Sequence, residues 1–156
     1  MKIFDLNVIL YAANRSAKHH RTALAHWEAA MRSDAPVGLA WTVILGFLRL
    51  TTRPSVFRNP LTPEEAVQRV RRWLANPNVR IVGELEGHFE ILARLLAETG
   101  TGGNLTTDAH LAAIALSRGA ILVSFDSDFA RFHGLRWVNP LREDPSDGAL
   151  KAGNAD

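Results

Sequence analysis

The stretch ILVSFDSDFARF, residues 121–132, is apolar for three residues and then sets Asp126 and Asp128 two apart. A short apolar run bounded by turn residues reads as a strand buried on both faces, the kind found in parallel sheets. The two carboxylates therefore stand where a strand ends. In open parallel sheets the carboxyl ends of the strands line the ligand crevice. This stretch therefore bears on fold and site together.

Working outward, MKIF is a second short apolar run, and it ends at Asp5. KHHRTALAHWEAAMR carries Leu24, Trp27 and Met31 at helical spacing, and PVGLA is another brief strand. WTVILGFLRLTT is too long and too evenly apolar for a strand and reads as a buried helix, followed by a loop over RPSVFRNP. Thr62, Pro63 and Glu65 form a helix start with a capping box and a first-turn proline. Ala66, Val67, Val70, Trp73 and Leu74 give that helix one apolar face. VRIV is a strand, GHFEILARLLAETG a helix closed by Gly100, and TTDAHLAAIALSRG a helix capped by Thr106 or Thr107 and stopped by Gly119. RWV supplies the last strand. The alternation predicts an α/β fold: a central, mostly parallel sheet of about five strands with helices on both faces, three layers in all.

Composition agrees with one such domain. The chain has 156 residues, 47% hydrophobic and 22% charged, enough for one core and too few for two ordinary domains. The expected division is a folded unit over residues 1–142 and a polar, disordered tail over 143–156. No apolar run is long enough to span a membrane, and nothing at the start has the form of a signal peptide. The absence of cysteine excludes disulfides and thiolate metal sites, and it suits a cytoplasmic protein. Four acids against one lysine leave the tail after Arg142 at −3, so the rest of the chain carries +5. Only Lys2, Lys18 and Lys151 of the 18 basic residues are lysines, which suits either a phosphate-bearing partner or simply solvated arginine-rich helices.

Asp5 ends the first strand, Asp126 and Asp128 follow the fourth, and Asp108 sits in the first turn of a helix whose start faces the same rim. Four carboxylates brought together repel and take up protons unless a hard divalent cation, Mg²⁺ or Mn²⁺, neutralises them. Singly each has a plainer reading: Asp5 as a helix cap, Asp108 as a complement to a helix dipole, Asp126 and Asp128 as turn residues. Such a cation would make its bound water more acidic and could neutralise charge developing on a bound oxygen, with no histidine required as base. His110, two residues past Asp108, points elsewhere on a helix. Lys18, His19 and His20 read as a solvated helix start, and Trp27, Trp41, Trp73 and Trp137 as core. Arg49 and Arg53 are the candidates for contact with substrate phosphate. An aspartate-based phosphatase or receiver remains an alternative, although no lysine is well placed for one; a catalytically weak binding module is another.

DLNVILYAA, WTVILGFLRLTTRPSVF and GGNLTTDAHLAAIALSRGAILVSFDSDFARFHGLRWVNPL together resemble the PIN-domain ribonucleases, and within them the VapC-type toxins of bacterial toxin-antitoxin modules, over about residues 1–141. The resemblance implies an Mg²⁺- or Mn²⁺-dependent endoribonuclease, an RNA substrate, a protein antitoxin and a homodimer. By that resemblance Asp5, Asp108, Asp126 and Asp128 are the catalytic acids, with the first three as metal ligands and Asn7, Thr107 and Ser124 as polar support. Many relatives carry a glutamate where this chain has Gly46, which implies one firmly held ion rather than two. It also suggests that Gly46→Glu would tighten metal binding, unless a close neighbour requires the glycine. WTVILGFLRL and the helix from Thr62 to Leu74 have apolar residues to spare, which fits a groove for an amphipathic helix of the antitoxin.

Overall fold

The computed structural model describes residues 1–100, 102–103 and 105–143. Five short strands, β1 (Lys2–Phe4), β2 (Val37–Ala40), β3 (Val79–Val82), β4 (Ile121–Val123) and β5 (Arg136–Val138), pair in the order β3-β2-β1-β4-β5, every pair parallel. Six helices cover the two faces: α1 (Leu6–Ala13), α2 (His20–Arg32), α3 (Trp41–Thr51), α4 (Pro63–Leu74), α5 (His88–Thr99) and α6 (Leu105–Ser117). Neighbours α1 to α4 pack together, and α5 packs with α6. The apolar character of the strands follows from this double cover: Ile3, Phe4, Leu39 and Leu122 are completely buried.

The path of the chain sets the position of the crevice. From β1 it moves outward to β2 and β3, then returns across the sheet through α5 and α6 to β4 on the other side of β1. The order reverses between β1 and β4, and that is where an open α/β sheet forms its binding crevice. Lys2, Ile3 and Phe4 lie opposite Ile121, Leu122 and Val123, so Asp5 and Ser124 leave the sheet side by side.

Local signals account for the helix ends. Thr62 and Glu65 make both bonds of the capping box, at 3.2 and 2.8 Å. Gly100 closes α5 at φ 68°, a left-handed conformation that glycine adopts without strain. LNVILYAA forms a helix of its own, capped by Asp5. α6 begins at Leu105, so Thr106 and Thr107 lie within its first turn rather than capping it. The expected tail, Glu143 apart, lies outside the described residues.

Three burial expectations need correction. Trp41 is 55% exposed and Leu45 58% exposed, whereas Val43, Ile44 and Phe47 are buried. α3 is thus amphipathic rather than fully buried, because only one of its sides meets the sheet and its neighbours. The other tryptophans are in or against the core, with Trp27 edge-on to Phe4 at 5.1 Å and Trp73 edge-on to Phe47 at 4.6 Å. On α4, Val67 and Leu74 fall on the exposed side of the apolar face. The Lys18–His20 segment is not simply solvated: His19 stacks on Phe125 with ring centroids 5.2 Å apart, and His20 Nδ1 lies 2.9 Å from the Tyr11 carbonyl oxygen.

Candidate active site

The rim is organised around Ser124, which is fully buried immediately after β4. Its hydroxyl donates to Asp5 Oδ2 at 2.7 Å and accepts from Asn7 Nδ2 at 2.9 Å and from the Asp126 backbone N–H at 3.0 Å. Asn7 Oδ1 in turn accepts the Phe125 N–H at 3.2 Å. One hydroxyl therefore joins the end of β1, the first turn of α1 and the loop after β4, with all of its hydrogen-bonding capacity in use. Asp5 Oδ1 accepts the Leu6 N–H at 2.6 Å, and Asp126 Oδ1 accepts the Asp128 N–H at 2.9 Å at the head of a 3-10 turn, Ser127–Arg131. Both aspartates cap helical turns and both face the crevice, so the two readings of them are compatible.

Asp108 reaches the same rim from the first turn of α6. Burial, then the charges of Asp5, Asp126 and Asp128, push its carboxyl up to about 6. Burial also raises Asp5, against the hydrogen bonds from Ser124 and Leu6, and Asp126 adds to the rise. The four acids form one electrostatic unit. Arg131, 3.8 Å from Asp128 and itself exposed, is the one cation paired with them among the described residues.

All four donors are carboxylates, a hard oxygen set that fits Mg²⁺ or Mn²⁺. Among the described residues no three histidine, aspartate or glutamate side chains stand close enough to share an ion as they are oriented. The Asp5 and Asp126 oxygens are turned to N–H and O–H donors. Thr107 is exposed on α6. Arg49 and Arg53 are exposed at the end of α3 and just beyond it.

Because protonated Asp108 is favoured in the folded state, the sign of its pH effect is defined. In the unfolded chain its carboxyl titrates near 3.8, against about 6 here, so the folded state binds the extra proton between those values. Without metal, the contribution of this group is present at pH 4 and is lost as pH rises through 6. Asp108→Asn removes that loss. Thermal melts in a chelator should show the variant more stable than the wild type at pH 7, with the difference shrinking towards pH 4.

Gly46 is buried in α3 against Leu6, the residue that follows Asp5; a Cβ added there would lie 2.4 Å from Leu6 Cδ2. The Leu6 side chain occupies the space that a side chain at position 46 would need, and it would have to turn away to admit one. Gly46→Glu should destabilise the fold by about 1–3 kcal/mol, as overpacking does, while Leu6→Ala in the same chain should relieve most of it. Urea titration of the single and double variants measures both effects.

The resemblance marks Asn7 and Ser124 as polar support, but the hydrogen-bonded hub they build is not legible in the sequence, since Ser124 lies 117 and 119 positions from Asn7 and Asp5. Sequence reasoning also missed the contact of His88 with His110.

The chain belongs to the PIN-domain family, whose profile matches residues 2–135. It is 46% identical to ribonuclease VapC37 of Mycobacterium tuberculosis over 140 residues, 90% of this chain and 97% of that one. It is 40% identical to ribonuclease VapC33 of the same organism over 143 residues, 92% of this chain and all of the relative. Among solved structures, the toxin VapC20 of M. tuberculosis, described as cleaving the sarcin-ricin loop, superposes with a TM-score of 0.64 at 20% identity, covering 87% of this chain and 99% of that one. VapBC2 of Rickettsia felis, bound to a promoter DNA fragment, gives 0.65 at 17% identity, covering 88% and 97%.

Proposed function

We propose that this chain is the endoribonuclease toxin of a toxin-antitoxin pair, cutting RNA at the rim formed by Asp5, Asp108, Asp126 and Asp128 with Mg²⁺ or Mn²⁺ held there. The observation that carries the reading is the convergence of four carboxylates from β1, α6 and the loop after β4 on one rim, where burial first and the charges of Asp5, Asp126 and Asp128 next raise Asp108. Such a cluster is unfavourable in itself and becomes useful when it holds a divalent cation. Asp5, Asp108 and Asp126 would hold the ion, and Asp128 would contribute directly or through water. The ion would supply charge neutralisation at the scissile phosphate and a more acidic water. Ser124 and Asn7 keep Asp5 and the Asp126 backbone in place, so the acids are preorganised before substrate arrives. Arg49 and Arg53 are the guanidinium groups assigned to substrate phosphate.

A partner follows from the kinship with VapC ribonucleases and from the exposed apolar residues of α3 and α4. The antitoxin would lay an amphipathic helix on this surface and bring an arginine to the acidic rim. A homodimer and a cytoplasmic location complete the reading; no helix among the described residues is long and apolar enough to cross a membrane.

The test is cleavage of RNA by the purified protein with Mg²⁺, with Mn²⁺ and with chelator, together with sequencing of 5′ ends in cells during brief expression. Metal-dependent cuts bearing 5′-phosphates, and growth arrest relieved by the protein encoded immediately upstream, are expected. RNA cleavage undiminished by chelator would overturn the metal reading, and absence of cleavage under every condition would overturn the enzyme.

A further inference from the structure

A second polar cluster sits between α5 and α6, and the carboxylate rim makes no use of it. Glu84 lies in the segment between β3 and α5, His88 is the first residue of α5, and His110 lies two residues past Asp108 on α6. His88 Nε2 is 3.0 Å from His110 Nδ1, and the two rings meet edge-on with centroids 4.9 Å apart. His110 Nε2 is 3.6 Å from a Glu84 carboxylate oxygen.

One ring nitrogen donates to the other across the 3.0 Å contact, while Glu84, at 3.6 Å and exposed, adds electrostatic attraction rather than a hydrogen bond. His88 Nδ1 is buried with no hydrogen-bond partner among the described residues. Burial first, and the neighbouring His110 next, hold the His88 pKa below its usual value, which agrees with a neutral ring. The link between α5 and α6 is thus the histidine pair, with Glu84 beside it.

The structure around α6 gives this pair a task. Before the helix, Gly100 and Gly103 are in left-handed conformations. The buried residues of α6 are four alanines, Ala109, Ala112, Ala113 and Ala115, with Leu105, Leu111 and Ile114 as the larger side chains, and the histidine pair adds a polar contact to α5 at its first turns. Successive residues on a helix are turned by about 100°, so His110 points away from the side on which Asp108 meets the rim.

We propose that Glu84, His88 and His110 form a clip that fixes the rotation of the first turns of α6 and thereby holds Asp108 against Asp5, Asp126 and Asp128. This rests on the reading of the rim as a metal site. His88 and His110 are positioning residues, with no contact of their own with the ion or the substrate.

The test is made on the full chain without RNA. In His88→Ala and His110→Ala, amide exchange at residues 108–111 should accelerate while the β1 and β4 amides remain as protected as in the wild type. Mn²⁺ affinity by calorimetry should fall on the order of tenfold, the lower end of what loss of an outer-shell partner costs. The double variant should be no weaker than either single one, because both remove the same link. His88→Gln, whose terminal amide can donate to or accept from His110 Nδ1, should recover most of the affinity; a merely space-filling histidine would not predict that rescue. Unchanged exchange in folded His88→Ala would overturn the clip. Faster exchange with unchanged Mn²⁺ affinity would overturn its link to Asp108, as would additive losses in the double variant. A wild type that takes up no Mn²⁺ would defeat the metal reading, while the exchange data would still decide whether the clip holds α6.

Discussion

Asp108→Asn, Asp126→Asn and Asp5→Asn should each lower RNA cleavage by on the order of 10²–10³-fold, the loss expected when several kcal/mol of charge stabilisation at the reacting phosphate disappears. The three variants should differ in their effect on the fold. Asp108 is burdened by its surroundings, so the amide leaves metal-free stability unchanged or higher at neutral pH. At Asp126 the amide oxygen can still accept the Asp128 N–H, and the turn should survive. Asp5 uses one oxygen for Leu6 and the other for the Ser124 hydroxyl, so an amide can keep one of those bonds and must lose the other. The lost bond costs about 1–2 kcal/mol, offset in part at neutral pH because burial already disfavours the charged carboxylate of Asp5. Single-turnover cleavage at saturating Mn²⁺, alongside melts in chelator, separates lost chemistry from lost fold. Full activity in Asp126→Asn under limiting metal would remove these acids from the mechanism.

Ser124→Ala should have the largest effect on stability of any single-atom change at the rim. The hydroxyl satisfies three groups at once, and its removal strands the Asn7 amide, the Asp126 N–H and one Asp5 oxygen in a region where Ser124 itself is fully buried. A buried donor or acceptor left without a partner costs about 1–3 kcal/mol, and the rim can reorganise around some of this loss. The total should reach about 3 kcal/mol, measured as a drop in the denaturant midpoint. Activity should fall as well, because Asp5 is then free to turn. Ser124→Thr, which keeps the hydroxyl, should be less active than wild type only to the extent that the extra methyl is crowded. A Ser124→Ala protein as stable as the wild type would mean that water replaces the hydroxyl at no cost, and the hub would lose its structural role.

Much of the fold was legible because its signals are local. Apolar runs of three or four residues ending at Asp5, Ala40, Val82 and Ser124 mark parallel strands, and the Thr62–Glu65 box and the closing glycines mark helix ends. The four aspartates could be assigned to one edge because a parallel sheet places every strand's carboxyl end on the same side. Side-chain orientation was less accessible. Trp41 lies in an apolar run, yet which side of α3 meets the sheet depends on α1 and α4, and these leave Trp41 outside. Gly46 could be noted as a departure from the family pattern, but the side chain that fills the space beside it is Leu6, a residue 40 positions away in sequence that no periodicity connects to it. The histidine pair was invisible for the same reason: each histidine reads as an ordinary helical residue until α5 and α6 are packed together.

The pairing of β1 with β4 has a consequence for the order in which the protein comes into being. Residues 2–4 are synthesised well before residues 121–123, so one whole side of that strand waits for its partner. Contacts so far apart in sequence form late and slowly. The hydroxyl that orients Asp5 arrives with Ser124, and Asp126 and Asp128 follow it. A chain that stops short of Ile121 therefore carries two of the four acids and cannot assemble the acidic edge, so the proposed site comes into existence only after the segment from Ile121 to Asp128 has been made and has docked beside β1.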